Sequence, residues 1–413
     1  MSAKSGPSIV TSNLILHYDL DNEDSYLGEP TVNLLASWMN SLSSSLGTWG
    51  GEGGTGSAAI VADPLVGFKV RLTKTNSDGR YAINNGCATS ATVKKTHSCL
   101  IRKISAAPGA LLIFYTDYYT PTRYAVGVYV NLDNMTISSE NTVENASITN
   151  VFRDWYLVKY TTTFTDCESG SHHIWLDKTS EVELAKYQLE NKDHYTTYVN
   201  GTRSYTNVIK DLSGNNYHAS LYSAAQFQNQ RPFYPYSESN GAIAPKIDTA
   251  AISDLNLGTG EISVEIWFKQ LSGSVSPYCG LFTHGAGGGW PGYGMFLNTT
   301  GLMYAEVYGE TGGRQQFHLN ASATLNQYNQ VVYVFSIPDL KVYGYKNGVF
   351  TGEASLAATG SVSSPYEAHL ATLHWNYFWG LNGFINIFRV YKRKLLAAEV
   401  TNNYNATKSR FGL

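Results

Sequence analysis

The sequence contains little charge. Only 15% of its 413 residues are Asp, Glu, Lys or Arg, and the formal net charge is −3. Binding to nucleic acid depends on clustered Lys and Arg, and neither a basic field nor a long block of like charge is present. We therefore expect no nucleic-acid partner.

Cysteine is scarce, and its spacing excludes the common zinc sites. The chain has Cys87, Cys99, Cys167 and Cys279, without any CxxC pair. Structural zinc sites are typically built from such pairs. Three of the four cysteines fall in one predicted domain, where at most one disulfide could form. We expect free thiols, as in a protein made in a reducing compartment.

Long apolar runs are missing as well. No stretch of 18 apolar residues occurs, and residues 1–16 lack the apolar core of a signal peptide. These absences predict a protein that is made in the cytoplasm without a Sec signal and is not inserted into a membrane.

Tyrosine and glycine, in contrast, are abundant. The 30 Tyr and 38 Gly residues stand beside few of the Lys and Glu residues that favour helices. This mixture is typical of strands joined by tight turns. The length suits two domains. Runs with strand character cover residues 111–115, 124–130, 155–164, 173–176, 261–268 and 330–335.

One hairpin is predicted from its turn. Residues 341–346 and 349–350 flank Asn347-Gly348, and a two-residue Asn-Gly connection favours a type I′ turn, because both central residues need a positive φ.

The end of the chain carries the most specific motif. Residues 383–391 read as a strand with the pattern G-x-I-x-x-x-R-V-Y, and residues 395–400 read as a short helix with Leu396 and Val400 on one face. The motif resembles the end of concanavalin-A-like (LamG- or pentraxin-like) jelly-roll domains in bacteriophage structural proteins. In that family this strand closes the sandwich and a polar tail follows.

Two further motifs of the same family stand far apart here. Residues 13–28 resemble the opening of the family, and residues 211–215 (DLSGN) resemble a motif that normally follows shortly afterwards. This separation predicts a discontinuous sandwich of residues 1–30 and 205–413, with residues 31–204 inserted at a loop. Loop tips of sandwiches tolerate insertions when the inserted termini lie close together.

The insert has a resemblance of its own. Its end, residues 184–203, is similar to the last strand and exit loop of carbohydrate-binding-module-like jelly rolls in phage tail proteins, although Asn191-Lys192 replaces the usual Glu-Gly. The predicted fold class is therefore all-β, with two β-sandwich (jelly-roll) domains, one of them discontinuous, and a short C-terminal helix.

Aromatic clusters are the candidate binding sites. Exposed Trp and Tyr rings can stack on the flat C–H faces of sugars, whereas rings at alternating strand positions usually enter the core or a subunit interface. Both interpretations stay open. The candidate carbohydrate-binding residues are Trp290, Tyr293, His374, Trp375, Tyr377 and Trp379 in the sandwich, and Tyr115 and Tyr118 in the insert.

The densest acidic stretch contains Asp19, Asp21 and Asp24. Hard cations such as calcium bind clustered carboxylates, but this stretch lacks the glycine and the distal glutamate of an EF-hand. We predict a solvated turn and no cofactor, with a structural calcium as the weaker alternative.

Signatures of catalysis are missing. The sequence has no Glu-x-Asp-x-x-Glu pattern of retaining glycosidases and no GxSxG elbow. Glu261 and Glu265 share one strand face, and we interpret them as surface polar residues. His172 and His173 have no partner at metal-ligand spacing. The sequence predicts a protein that is not an enzyme.

The resemblance implies a role in a virion. We expect a bacteriophage tail, fibre, baseplate or capsid-decoration component that binds other virion proteins, forms an oligomer (often a trimer in such proteins) and contacts a host-surface glycan. A virion glycan depolymerase and a purely architectural decoration protein without a ligand are the alternatives.

Overall fold

The fold was taken from a computed structural model of the whole chain. The structure describes all residues except 1–7, 23, 27–30, 35–47, 50–54, 64–65, 77–80, 90–91, 120–122, 166, 197, 199–201, 204–207, 222–225, 229–230, 234–244, 248–251, 272–277, 286–290, 299, 358 and 372–380.

The chain is all-β and forms two compact units. Ala3–Glu29 joins Thr206–Leu413 in one of them, here called the discontinuous unit, and Pro30–Tyr205 forms the inserted unit. The predicted fold class is confirmed: two sandwiches, one of them discontinuous, and a short C-terminal helix.

The strands begin and end as follows. The first fifteen are β1 (Leu14–Asp19), β2 (Thr31–Val32), β3 (Thr48–Trp49), β4 (Gly56–Asp63), β5 (Gly67–Lys74), β6 (Tyr81–Ala88), β7 (Thr96–Ala106), β8 (Leu111–Tyr119), β9 (Tyr124–Asn131), β10 (Thr136–Ser139), β11 (Val143–Phe152), β12 (Trp155–Thr162), β13 (Ser169–Leu176), β14 (Ser180–Glu190) and β15 (Thr202–Arg203). The others are β16 (Val208–Ile209), β17 (Ala219–Leu221), β18 (Gln226–Gln228), β19 (Arg231–Phe233), β20 (Pro245–Ile247), β21 (Glu261–Gln270), β22 (Tyr278–His284), β23 (Gly292–Asn298), β24 (Leu302–Tyr308), β25 (Arg314–Ser322), β26 (Tyr328–Ser336), β27 (Lys341–Lys346), β28 (Val349–Ser355), β29 (Ala368–Leu370) and β30 (Gly383–Tyr391). The helices are α1 (Ile252–Leu255), α2 (Ala397–Thr407) and a 3₁₀ helix, Lys408–Phe411.

Two large antiparallel sheets enclose the core of the discontinuous unit. Their strand orders are β1-β30-β21-β26-β27-β28 and β16-β17-β20-β29-β22-β23-β24-β25. Apolar side chains alternate along the strands, as a sheet with one face in the core requires. On β21, for example, Ile262, Val264, Ile266 and Phe268 all enter the core.

The first and last strands of this unit are neighbours. Leu14 pairs with Tyr391 and Tyr18 with Phe388, so β1 lies at the edge of its sheet beside β30. The predicted closing strand is confirmed, and its partner comes from the opposite end of the chain. The Asn-Gly hairpin is confirmed too, with φ of 49° at Asn347 and 77° at Gly348.

The C-terminal helix differs from the prediction. It begins at Ala397 rather than Leu395 and continues through the polar segment to Thr407. Val400 is buried, but Leu396 precedes the helix as its N-cap residue and is 60% exposed. The two residues therefore do not form one buried face. Asn and Thr are poor helix formers, and packing on the sheet overrides that local preference.

The inserted unit is a second sandwich. Its sheets have the orders β10-β9-β8-β13-β6-β3 and β11-β12-β7-β14-β5-β4, and they share one apolar core. Its ends lie side by side, because β2 pairs antiparallel with β15.

Cys99, Cys167 and Cys279 are buried free thiols, and the side chain of Cys87 lies outside the described residues. Within the described ranges, no helix is both long and apolar enough to cross a membrane.

Candidate functional site

The two faces of β8 and β13 in the inserted unit have different compositions. Phe114 and Ile174 point into the core. Tyr115 and Trp175, the next residues along, point to the opposite face because successive strand residues alternate. The candidate site lies on that opposite face.

Tyr115 and Trp175 stack on one another there. Their ring centroids lie 4.8 Å apart with an interplanar angle of 15°. His173 is the register partner of Tyr115, and Ser171 is the partner of Asp117. We call these five residues the aromatic face. Its two large rings are half-buried, so each keeps surface for a ligand.

Polar groups border the stacked rings. Ser171 Oγ and His173 Nε2 lie 3.1 Å apart, and Arg123 Nη2 donates to Asp117 Oδ1 at 2.9 Å. Burial lowers the pKa of His173 although Asp117 acts to raise it, so the imidazole is neutral at pH 7. A serine, a histidine and an aspartate are thus close together. Asp117 accepts two bonds from Arg123, which fix its carboxylate at the border of the face.

A glycine makes room beside Tyr115 on the next strand. Gly127 of β9 is its register partner. The carboxylate of Glu140 lies over this glycine and accepts a hydrogen bond from Tyr129 Oη at 2.7 Å. A Cβ at position 127 would lie 2.6 Å from both Glu140 Oε1 and Tyr129 Oη. A glycine at this position is therefore needed for both side chains to cross the strand.

The structure separates the two tyrosines predicted in the insert. Tyr115 lies on the aromatic face, but Tyr118 is fully buried and its hydroxyl lies 2.6 Å from His97 Nε2. Tyr118 is therefore not a stacking platform, because alternation turns it into the core. Trp175 was missed, although its position two residues after His173 on a predicted strand is a signal that could have found it.

The candidates of the discontinuous unit have a different outcome. Tyr293 is fully buried in the core and donates to the carbonyl of Leu255 at 2.7 Å, so the prediction of an exposed platform there is wrong. The remaining candidates, Trp290, His374, Trp375, Tyr377 and Trp379, lie outside the described residues.

The acidic stretch differs from the predicted solvated turn at Asp19, which is buried and paired with Arg410. Both oxygens of Asp19 accept bonds from Arg410, at 2.6 and 2.8 Å. Burial acts to raise the pKa of Asp19, but the bonds and charge of Arg410 outweigh it and lower the pKa. Asp21 accepts from Asn386, and Asp24 donates its backbone N–H to Asn22. A cation at Asp19 would have to displace this guanidinium.

Glu265 is also placed differently from the prediction. It is fully buried, not a surface residue, under the C-terminal helix. One oxygen accepts from Trp267, Gln330 and Arg389, each at 2.9 Å, and the other accepts from Asn403 at 2.8 Å. These bonds hold the carboxylate as a structural acceptor.

Glu261 bonds within the protein as well. It accepts from Ser336 Oγ at 2.9 Å, so this carboxylate too has a structural role. Among the residues that the structure describes, no group of three or more His, Cys, Asp and Glu side chains is placed to hold a metal ion.

The sequence analysis did not predict a buried carboxylate on β24. On β24, Ala305 and Val307 enter the core, and Glu306 between them points to the other face. Glu306 is fully buried, and its Oε2 accepts from Arg314 at 2.8 Å and Gln316 at 3.2 Å. Its partners come from β25, a strand that the motifs did not indicate.

The two sandwiches define an all-β protein. Residues 246–401 match the family model described as concanavalin A-like lectin/glucanases superfamily. The discontinuous unit therefore carries a concanavalin A-like domain. No curated protein sequence matches the chain.

Solved structures show a weaker likeness. The binding domain of Paraclostridial Mosquitocidal Protein 1 is similar at 16% identity and a TM-score of 0.39, over 49% of this chain and 50% of that one. The botulinum neurotoxin serotype G binding domain is similar at 13% identity and a TM-score of 0.36, over 48% of each chain. The binding domain of botulinum neurotoxin DC, solved with rat synaptotagmin II, is similar at 14% and 0.37, over 49% and 50%.

The chain thus spans about half the length of these structures. Identities and TM-scores this low support no inference about its function or partners.

Proposed function

We propose that this chain is a non-enzymatic binding protein and that its inserted unit, a carbohydrate-binding-module-like jelly roll, binds a glycan on the aromatic face. The observation that carries the proposal is the stacked pair of Tyr115 and Trp175, half-buried on the face of the sheet that is turned away from the core. A glycan is the ligand whose chemistry fits best.

A sugar ring has flat C–H surfaces and a rim of hydroxyl groups. Aromatic rings offer apolar area with little loss of side-chain entropy, and they favour such flat surfaces. Asp117 can accept hydrogen bonds from sugar hydroxyls, while Ser171 and neutral His173 can donate or accept them. Stacking provides affinity, and the polar groups select the hydroxyl pattern.

The biological setting is a further part of the proposal. We propose that the protein is a structural component of a bacteriophage virion, as an oligomer with other virion proteins, and that it attaches to a host-surface glycan. Support comes from the motifs at residues 13–28, 211–215 and 383–391, which resemble those of phage sandwich domains. Immunogold labelling of intact particles would test the virion location.

Glycan binding is tested by substitution. The full chain is screened against host capsule, lipopolysaccharide and a glycan array, and then Tyr115→Ala and Trp175→Ala are compared with it. Each variant should weaken binding about tenfold or more, equivalent to about 1.4 kcal/mol. Phe350→Ala is the matched control, because Phe350 is an exposed ring of the discontinuous unit and its loss should leave affinity unchanged.

The same experiment separates the alternatives. Release of reducing ends from capsule or lipopolysaccharide would favour the depolymerase. Absence of glycan binding, together with binding to capsids or tails, would favour the architectural decoration protein. Equal binding by Tyr115→Ala and the unchanged chain would remove the aromatic face from the function.

A further inference from the structure

Carboxylates flank Tyr115 on two sides. Asp117 lies two residues further along the same strand and hence on the same face. Glu140 approaches from the other side, since its carboxylate lies over Gly127, the register partner of Tyr115. Trp175 stacks on the ring from the third side. A ligand on Tyr115 is therefore placed between two negative charges and beside an indole.

The positive charge near this face is smaller than the negative charge of Asp117 and Glu140. Arg123 is bonded to Asp117, but its side chain is 66% exposed, so water and salt screen its charge. Within the described residues no cationic side chain is bonded to Glu140, which is held by the neutral hydroxyl of Tyr129. Burial lowers the pKa of His173 and so favours its neutral form. The net charge around the stacked rings is therefore negative.

The pKa of the Tyr115 hydroxyl responds to these charges. Burial raises the pKa of its hydroxyl, and the charges of Asp117 and Glu140 raise the pKa further, while Arg123 only partly opposes them. Both carboxylates are thus near enough to act on a group at the ring edge. The same field attracts a cation and repels an anion bound there.

We infer that the aromatic face prefers glycans that carry a free, protonated amino group, such as de-N-acetylated hexosamine oligomers, over N-acetylated and acidic glycans. This inference rests on the proposed function. An ammonium group gains both from the ring faces of Tyr115 and Trp175 and from the nearby carboxylates of Asp117 and Glu140. A uronic acid or a sialic acid would meet like charge at the same place.

Matched oligosaccharides test the preference. Binding of the full chain to glucosamine oligomers, N-acetylglucosamine oligomers and oligogalacturonate of equal length is measured by calorimetry at pH 6. The amino form should bind about tenfold more tightly than the N-acetylated form. High salt should reduce this ratio, because the preference is electrostatic.

The carboxylates are then neutralised one at a time. Glu140→Gln and Asp117→Asn should each reduce the ratio severalfold and leave affinity for the N-acetylated oligomer nearly unchanged. Glu144→Gln is the matched control, because this glutamate of the same unit pairs with Lys94 and should leave the ratio intact. Tyr129→Phe keeps the charge of Glu140 and should keep the preference.

The outcomes distinguish the two proposals. Equal binding of amino and N-acetylated oligomers, or tightest binding of oligogalacturonate, would overturn the amino-sugar preference and leave glycan binding in place. A ratio that survives both neutralising substitutions would overturn it as well. If none of the three binds, and the glycan array and host polysaccharides also give nothing, the proposed function fails with it.

Discussion

Glu265 shows how one residue stabilises the discontinuous unit. Its carboxylate is fully buried and accepts four hydrogen bonds, including one from the buried cation Arg389. A buried charge of this kind is costly unless it is paired, so the two residues depend on one another. Asn403 of the C-terminal helix donates to the same carboxylate and links this helix to the sheet.

Removing that charge should be strongly destabilising. Glu265→Gln leaves the guanidinium of Arg389 buried without its counter-ion, and we expect a loss of about 3–5 kcal/mol in the free energy of unfolding. Urea unfolding of the full chain measures the loss, and hydrogen exchange of residues 261–270 assigns it to this unit.

The control is an exposed ion pair. Glu353→Gln removes the partner of Lys341 at the surface and should cost less than about 1 kcal/mol. Similar losses in the two variants would mean that the pair of Glu265 and Arg389 is not energetically special.

Buried histidines of the inserted unit make its stability depend on pH. Burial lowers the pKa of His172 to about 3 and that of His97 well below 6.5. Both are neutral in the folded chain, whereas the unfolded chain takes up protons below about pH 6.5. The free energy of unfolding should therefore be highest above pH 6.5 and fall as the pH drops toward 3, by up to roughly 1.4 kcal/mol per pH unit for each histidine.

Calorimetry of the full chain between pH 7.5 and 5 measures this dependence. His172→Asn should reduce the slope of the free energy of unfolding against pH by the contribution of about one proton. A melting temperature of the inserted unit that is constant over this range would contradict the buried, neutral state of the two imidazoles.

At the scale of elements, the turn between β27 and β28 also packs against the C-terminal helix α2. Asn347 and Gly348 adopt the positive φ values of a type I′ turn, and Asn347 Oδ1 accepts from the backbone N–H of Gln330 at 2.9 Å. A Cβ at Gly348 would lie 2.9 Å from Tyr404 Cβ on α2. The glycine therefore meets two requirements, one from the turn and one from packing.

These requirements can be separated by two substitutions. Gly313→Ala also places alanine at positive φ, but in open space, and should cost about 1 kcal/mol. Gly348→Ala should cost a further 1–3 kcal/mol, roughly, because the methyl group collides with the helix. Urea unfolding midpoints give both values, and equal losses would show that the helix yields without cost.

The strands were largely predictable and the helix was not. Strand alternation and the Asn-Gly turn are local signals, and β30 has the predicted bounds. The helix extends to Thr407 because Val400 and Asn403 pack on the sheet, where Asn403 bonds Glu265. No pattern in the polar segment itself indicates those contacts.

At the scale of the whole molecule, segments that lie far apart in the sequence form neighbouring strands. β1 pairs with β30, and Thr31 pairs with Arg203 at the two ends of the insert. Paired residues on antiparallel strands have Cα atoms about 5 Å apart. A short bridge can therefore replace the insert without stretching the sandwich.

Excision tests this organisation. Replacing residues 31–204 by a short Gly-Ser bridge should leave a soluble sandwich that unfolds cooperatively, with a β-type circular dichroism spectrum. The same excision without residues 1–22 removes β1, exposes the edge of β30 and should aggregate. An insoluble product from the first excision would contradict a self-sufficient discontinuous unit.

The sequence alone determined the all-β class, the main strands, the type I′ turn and the closing strand, because these follow from local alternation and backbone preference. Only the tertiary structure decided that Tyr115 stacks on Trp175, that Arg410 pairs with Asp19, and that Glu265 is covered by the C-terminal helix. Each of these contacts joins residues on different elements, and no local pattern specifies which distant side chain comes to lie opposite.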